Sequence, residues 1–216
     1  MRWVAEWEGG IEGTDIKPGF IKIGVDPGPL SDIDRKLVRA AAQTHLETGL
    51  MIHCHTGEAE AALGVLETII AEGVDPSALV IIHAADIVDW EVIYQILEDG
   101  AWASLDHVGQ TWSLPIEQYA ERIKEAIGKG FGDQILVSHD TGWYDVNHPD
   151  GISKWGNALF APFSADPPSG DPYPHFAISD ELVPALKGLS VTDESIHQLL
   201  VTNPAKVFTI EVRKQR

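Results

Sequence analysis

Short apolar runs alternate along this chain with longer segments in which apolar residues recur every three or four positions. The apolar runs cover residues 20–25, 50–55, 79–83, 101–106 and 134–139. The segments of helical periodicity cover residues 32–48, 58–72, 87–98 and 115–127. Strands that alternate with helices in this way predict a parallel α/β sheet. Because nearly every strand position is apolar, both faces of that sheet are expected to be buried.

Signals at the helix ends support these assignments. Ser31 is expected to cap the first of these helices, with Asp34 in its first turn, and Gly49 is expected to end it. Two short helices, about 179–187 and 193–199, and a last helical turn from Asn203 to about Phe208 are predicted near the end of the chain. Residues 1–19 have no clear periodicity, apart from a possible helix end at Met1–Glu8.

A long segment, 141–178, is rich in proline, glycine and aromatic residues. A loop this long within a compact domain is usually functional or disordered, and the aromatic content argues against disorder. We interpret it as a lid or specificity loop, with an irregular packing appendage as the alternative. The whole chain, 1–216, is expected to form a single domain.

The net charge of the chain limits the classes of partner that it is expected to bind. The net charge is −18, with 33 acidic and 15 basic residues, whereas nucleic acid and anionic membrane surfaces are bound by basic patches. No apolar run approaches the roughly 18 residues of a membrane span. The single cysteine, Cys54, excludes an intramolecular disulfide. A cytoplasmic protein that binds neither nucleic acid nor membrane is therefore expected.

Polar residues stand at the ends of the predicted strands, where an α/β barrel places its active site. They are Lys22, His55, His83, Asp106, His107 and Asp140. Histidine and carboxylate ligands suit zinc and related divalent metals. His53 shares a strand face with His55, and whether it also binds metal is left open.

Lys22 needs a separate explanation because an ammonium group does not bind a metal ion. It is either deprotonated, as in a Schiff base, converted into a carboxylate-like group, or paired with a nearby acid. A Schiff-base lyase is therefore one alternative function for this chain.

Six stretches of the chain resemble the phosphotriesterase family of the amidohydrolase superfamily, including its lactonase members. They are Gly19–Ile23, Ile52–Thr56, Ile82–Asp86, Leu105–His107, Ile135–Asp140 and Val201–Ala205. The resemblance implies a (β/α)8 TIM barrel that holds one or two divalent metals. Zinc is the first expectation, and manganese, cobalt and iron are alternatives.

The resemblance also assigns the metal ligands. Lys22 matches a carbamylated lysine that bridges two metals, and His55 and His83 match the ligands of the more exposed metal. Asp140 matches the ligand of the buried metal.

A catalytic relay follows from the same resemblance. Asp140 takes the proton from the attacking hydroxide, and His107 and Asp86 match the proton relay behind it. The implied reaction is hydrolysis of a small phosphotriester, lactone or related ester by metal-activated hydroxide.

The matched units correspond to strands four to eight of the family, which predicts a partial barrel. The family's first strand carries an His-x-His pair well before the lysine, whereas 21 residues precede Lys22 here. His53 and His55 do not fit that first-strand role, because too few strands follow them. A homo-oligomer, or a second chain that supplies the missing strands, is therefore expected. The alternative is a catalytically incomplete half-barrel that acts as an assembly or binding subunit, or a truncated product.

Overall fold

The five predicted strands form one parallel sheet, in which they lie side by side in chain order. They are β1 (Ile21–Gly24), β2 (Ile52–His55), β3 (Leu79–Ile82), β4 (Trp102–Leu105) and β5 (Ile135–Val137). The structure is a computed structural model that describes residues 2–110, 113–140 and 176–215. The α/β class predicted from the sequence is confirmed. Each strand is one to three residues shorter than its apolar run.

Helices connect the strands and follow the last one. They are α1 (Arg2–Gly9), α2 (Asp32–Thr48), α3 (Ala59–Ala71), α4 (Trp90–Glu98), α5 (Ile116–Gly128), α6 (Val183–Gly188), α7 (Asp193–His197) and α8 (Asn203–Val207). Single 3-10 turns occupy Ile11–Gly13, Pro76–Ala78 and Ala84–Asp86, and π-helical turns occupy Ile178–Leu182 and Gln198–Thr202.

Helix α2 shows how local sequence fixes an element. The Ser31 hydroxyl accepts a hydrogen bond from the Asp34 backbone N–H, and the Asp34 carboxylate accepts one from the Ser31 backbone N–H. This reciprocal capping box satisfies two otherwise unpaired donors. Gly49 ends the helix with φ +75°, in the left-handed region that glycine adopts without strain. Both predictions for this helix are confirmed.

Two helices differ from what the sequence predicts. Helix α1 forms in a stretch without clear periodicity, and its Trp3 and Trp7 side chains pack against the core. Helix α4 begins at Trp90 rather than near residue 87. The reason is that the 3-10 turn Ala84–Asp86 comes first, and the Asp89 side chain then caps the helix by accepting from the Glu91 backbone N–H.

The core lies between the sheet and the helices that cover it. Leu79, Val80 and Ile81 of β3 are completely buried, as expected for a central parallel strand. Val38 and Ala41 of α2 are equally buried. On the sheet face opposite Ile81, Lys22 and His55 are exposed, whereas Val80 is buried.

The aromatic segment proposed as a lid, 141–178, lies almost entirely outside the described residues. Only from Phe176 onward is it described, and Ile178 already begins a helical turn. Its role as a lid therefore stays a prediction. Within the described ranges, no helix is long and apolar enough to cross a membrane.

Asn203 ties the end of the chain to the sheet. Its side chain is fully buried, and its amide nitrogen donates to the carbonyl oxygens of Gly132 and Ile135, both at 2.8 Å. We predict that Asn203→Ala lowers the free energy of unfolding by about 2 kcal/mol or more, because it leaves two carbonyls unpaired. Urea unfolding followed by circular dichroism measures this.

The matched control is Gln95→Ala, which truncates an exposed amide side chain on α4. Its effect should stay within about 0.5 kcal/mol. Equal losses in the two variants would contradict the assigned role of Asn203.

Candidate active site

The parallel register brings the ends of β1 and β2 together. Lys22 lies beside His53, and Gly24 lies beside His55. Gly24 therefore lies directly against the His55 side chain, and a Cβ there would stand 3.4 Å from the His55 Cβ. Lys22 and His55 are both exposed, whereas their neighbours within the strands are buried.

Three histidine rings continue this row across the next two strands. The ring centroids of His55 and His83 lie 4.4 Å apart in an edge-on arrangement. The rings of His83 and His107 are also 4.4 Å apart but nearly parallel, at 14°. Partial burial of the His55 ring lowers its pKa, and the charges of His83 and Lys22 lower it further. His55 is therefore a neutral imidazole at neutral pH, with a lone pair available to a metal.

Asp106 holds His83. One carboxylate oxygen accepts a hydrogen bond from His83 Nδ1 and the other accepts one from the His83 backbone N–H, each at 2.9 Å. Because a carboxylate only accepts, the proton of a neutral His83 ring lies on Nδ1 and the lone pair on Nε2.

His107 lies between two carboxylates. Its Nδ1 is 3.4 Å from Asp86 Oδ1, and its Nε2 is 3.2 Å from Asp140 Oδ2. Burial alone would lower the pKa of His107, but the hydrogen bonds to Asp140 and Asp86 and the charge of Asp106 raise it to about 9. The hydrogen bond from His107 in turn holds the pKa of Asp140 below its usual range, against the opposing effect of burial.

The backbone is strained at three neighbouring strand ends. His83, His107 and Asp140 have φ values of +63°, +66° and +46°, in the left-handed region that residues with a Cβ rarely adopt. Each such residue costs on the order of 1 kcal/mol and persists only where surrounding contacts enforce it. Strain of this kind clusters at functional sites.

Comparison with known proteins identifies the family to which the chain belongs. The sequence profile of the Phosphotriesterase family matches residues 2–208. The chain belongs to the phosphotriesterase family. The phosphotriesterase homology protein of Mycobacterium tuberculosis is 29% identical over 208 residues, covering 95% of this chain and 60% of that protein. The aryldialkylphosphatase of Saccharolobus solfataricus is 32% identical, covering 93% of this chain and 60% of that protein.

Solved structures of the family share the fold. The phosphotriesterase from Mycobacterium tuberculosis superposes with a TM-score of 0.80 at 28% identity, covering 97% of this chain and 61% of that chain. The organophosphorus hydrolase from Deinococcus radiodurans gives a TM-score of 0.80 at 26% identity. The chain thus spans about 60% of the length of these relatives. The predicted partial TIM barrel is confirmed.

Within this row of strand-end residues, one group has the spacing of a metal cluster. Potential ligand atoms of His83, Asp86 and His107 lie within 4.8 Å of one another. However, imidazole lone pairs lie in the ring plane, and the parallel rings of His83 and His107 do not direct theirs toward a common point between them. The geometry therefore favours His83 as a ligand and His107 as a hydrogen-bonded link between Asp86 and Asp140.

His53 stands apart from the row. Its ring stacks on Phe208 at 5.3 Å and packs against Phe20 at 4.7 Å, and only 6% of the residue is exposed. Burial and the charge of Lys22 lower the pKa of His53 to about 4. His53 is therefore neutral and packed between two aromatic rings, and it belongs to no ligand cluster found among the described residues.

The neighbouring residue, Cys54, is buried as well. Burial raises the pKa of the Cys54 thiol to about 12, which excludes a reactive thiolate at neutral pH.

The sequence predicts that Asp106 lies at this end of the sheet, but it does not predict that Asp106 bonds to His83. The sequence shows only an acid next to His107 at a strand end. The bond to His83 depends on the pairing of β3 with β4, and that register is not readable from either strand alone.

We predict that Asp140→Asn lowers the pKa of His107 in the metal-free protein by roughly one to two units, because a charged acceptor is lost. The imidazole resonances of His107, followed by NMR as a function of pH, measure this. His45, which bonds the Leu50 carbonyl oxygen away from the strand ends, should titrate unchanged and serves as the internal control. A wild-type His107 that titrates at its ordinary value of about 6.5 would contradict the geometry.

Proposed function

We propose that the chain forms the metal-binding and catalytic part of a metal-dependent hydrolase that cleaves a phosphotriester, a lactone or a related ester. The observation that carries the proposal is the row of His55, His83, His107 and Asp140 at the ends of four consecutive parallel strands, with Lys22 on the neighbouring strand β1. The names of its relatives, aryldialkylphosphatase and phospho-furanose lactonase, support this range of substrates.

The side chains fit a divalent metal. His55 is neutral because its pKa is lowered, and His83 presents Nε2 because Asp106 holds its Nδ1. Asp140 contributes a carboxylate, and Lys22, if carbamylated, contributes a second. Two imidazoles with carboxylates suit zinc first, and also manganese, cobalt or iron. When bound, such a metal activates water at neutral pH and polarises the bond under attack.

Residues of the chain carry away the proton that the attacking water releases. Asp140, which is ionised at neutral pH, accepts the proton released by the attacking water. His107 links Asp140 to Asp86, because its Nε2 lies 3.2 Å from Asp140 and its Nδ1 lies 3.4 Å from Asp86. A neutral ring with its proton on Nδ1 would take the proton from Asp140 on Nε2 and release the Nδ1 proton to Asp86. The Asp86 side chain is about one-third exposed and passes the proton to solvent.

We predict that Asp140→Asn lowers kcat by about 10²- to 10⁴-fold, because the first proton acceptor is lost. Lys22→Ala should lower the bound metal per chain. Metal analysis of the purified protein, followed by assays with paraoxon-like esters and acyl lactones, measures both effects.

The matched control for Lys22→Ala is Lys124→Ala, which removes an exposed lysine on α5. It should leave metal content and turnover unchanged. Purified protein without metal, together with no loss of activity in either site variant, would refute the proposal.

A second candidate, an assembly subunit, is favoured by the open sheet. Among the described strands, β1 and β5 each have a neighbour on one side only. A cavity of about 180 Å³ lies beside β1, lined by Trp3 and Glu6 of α1 and by Phe20 and Lys22. Phe20 is 43% exposed there. We propose that a further strand, from a second copy or another chain, pairs with this edge, since unpaired edges bind other strands.

We predict that the chain alone forms oligomers and that Phe20→Asp shifts them toward monomer, because it replaces the exposed apolar ring beside β1 with a charge. Light scattering measures this. The matched control is Val88→Asp, which places the same charge at a 91% exposed residue before α4. A well-folded, monodisperse wild-type monomer would contradict assembly. A pure assembly subunit would bind at most one metal and show negligible turnover.

A further inference from the structure

We propose that Asp106 is a positioning residue that fixes the ring tautomer of His83, so that Nε2 faces the metal. This inference rests on the proposed metal-dependent function. Asp106 is only 2% exposed and belongs to neither the predicted ligand set nor the predicted relay. Its two oxygens are both used on His83, one on the ring and one on the backbone.

The two hydrogen bonds to His83 restrict the orientation of the Asp106 carboxylate more than a single hydrogen bond would. The His83 backbone N–H is an invariable donor and occupies Oδ2 at 2.9 Å. This fixes the carboxylate, so that Oδ1 meets Nδ1 of the ring, also at 2.9 Å. An acceptor fixed at Nδ1 requires the ring proton there and leaves the Nε2 lone pair for a ligand.

The same contact supports the strained backbone of His83. With φ at +63°, His83 turns the chain sharply after β3. The bond from its backbone N–H to a buried carboxylate stabilises this conformation, because the donor would otherwise be buried without a partner.

Asp106 is itself held from outside the sheet. Tyr119 of α5 donates its hydroxyl proton to the Asp106 carbonyl oxygen at 2.6 Å, and Ser113 Oγ lies 2.8 Å from the same hydroxyl. Tyr119 is 1% exposed, and burial raises its pKa well above the ordinary value, so the phenol stays protonated. Helix α5 therefore braces the residue that orients His83.

Replacement by asparagine tests the tautomer directly. An amide has one acceptor oxygen, which the fixed backbone N–H of His83 will occupy. The amide NH₂ then faces Nδ1 and donates to it, which moves the ring proton to Nε2 and blocks the metal-facing nitrogen. We predict that Asp106→Asn lowers the affinity for Zn²⁺ about 10- to 100-fold, the range typical of lost outer-shell partners.

The experiment has two readouts besides activity. The ¹⁵N shifts of the His83 ring, measured in metal-free protein at a pH where the ring is neutral, report which nitrogen carries the proton. Competition with a chromophoric chelator gives the Zn²⁺ affinity. The expected result is an Nδ1–H ring in the wild type, an Nε2–H ring in Asp106→Asn, and the stated loss of affinity.

Two further variants separate orientation from general damage. Asp75→Asn replaces another carboxylate that accepts from a backbone N–H, that of Ser77, before β3 rather than after it, and should change neither readout. Tyr119→Phe removes the brace but keeps both carboxylate oxygens, so it should retain the Nδ1–H ring.

An Nε2–H ring in the wild type would overturn the inference, even if the Asp106→Asn variant failed to fold. So would an Asp106→Asn variant that folds, keeps the Nδ1–H ring and binds Zn²⁺ within twofold of the wild type. Because the tautomer is measured without metal, failure of the hydrolase proposal remains distinguishable from failure of this one.

Discussion

The parallel pairing of five strands in chain order is the constraint on which the rest of this protein depends. It places every strand's carboxyl end at one edge of the sheet, so that the functional residues of all five strands, far apart in sequence, gather at that edge. The buried apolar strands keep that edge rigid. A slip of one residue in any strand would turn its polar end residue to the opposite face.

Collecting so many titratable groups at one edge carries an energetic cost. Asp106 and His107 are almost fully buried, and removing charged groups from water is repaid only where good hydrogen bonds are made. The structure provides these bonds in two sets, Asp106 with His83 and Asp86 with His107 and Asp140. Three left-handed residues add strain. A protein selected for stability alone would place apolar residues at these strand ends, so the arrangement points to chemistry.

Much of the fold could be predicted from local sequence, because the relevant physics is local. Apolar runs marked the strands, and the Ser31–Asp34 box and Gly49 marked the ends of α2. Helix α1 was not clearly predicted, because its tryptophans are ordered by packing against the rest of the chain.

The candidate site could also be predicted only in part from local sequence. Strand-end positions and the family resemblance predicted which residues gather there. The contacts among them depend on cross-strand register and on distant segments. His53, for example, is buried by Phe208, which lies far along the chain, and the bond between His83 and Asp106 joins the ends of the adjacent strands β3 and β4.

The most direct test of the account is a crystal structure of the zinc-loaded protein with anomalous scattering recorded at the zinc edge. The proposed metal site predicts an anomalous peak within about 2.3 Å of ligand atoms of His55 and His83, on the side of Lys22 and Asp140. Asp86 and His107 should lie outside the coordination sphere and remain hydrogen-bonded to each other. A peak coordinated instead by His83, Asp86 and His107, or no peak at these strand ends, would contradict it.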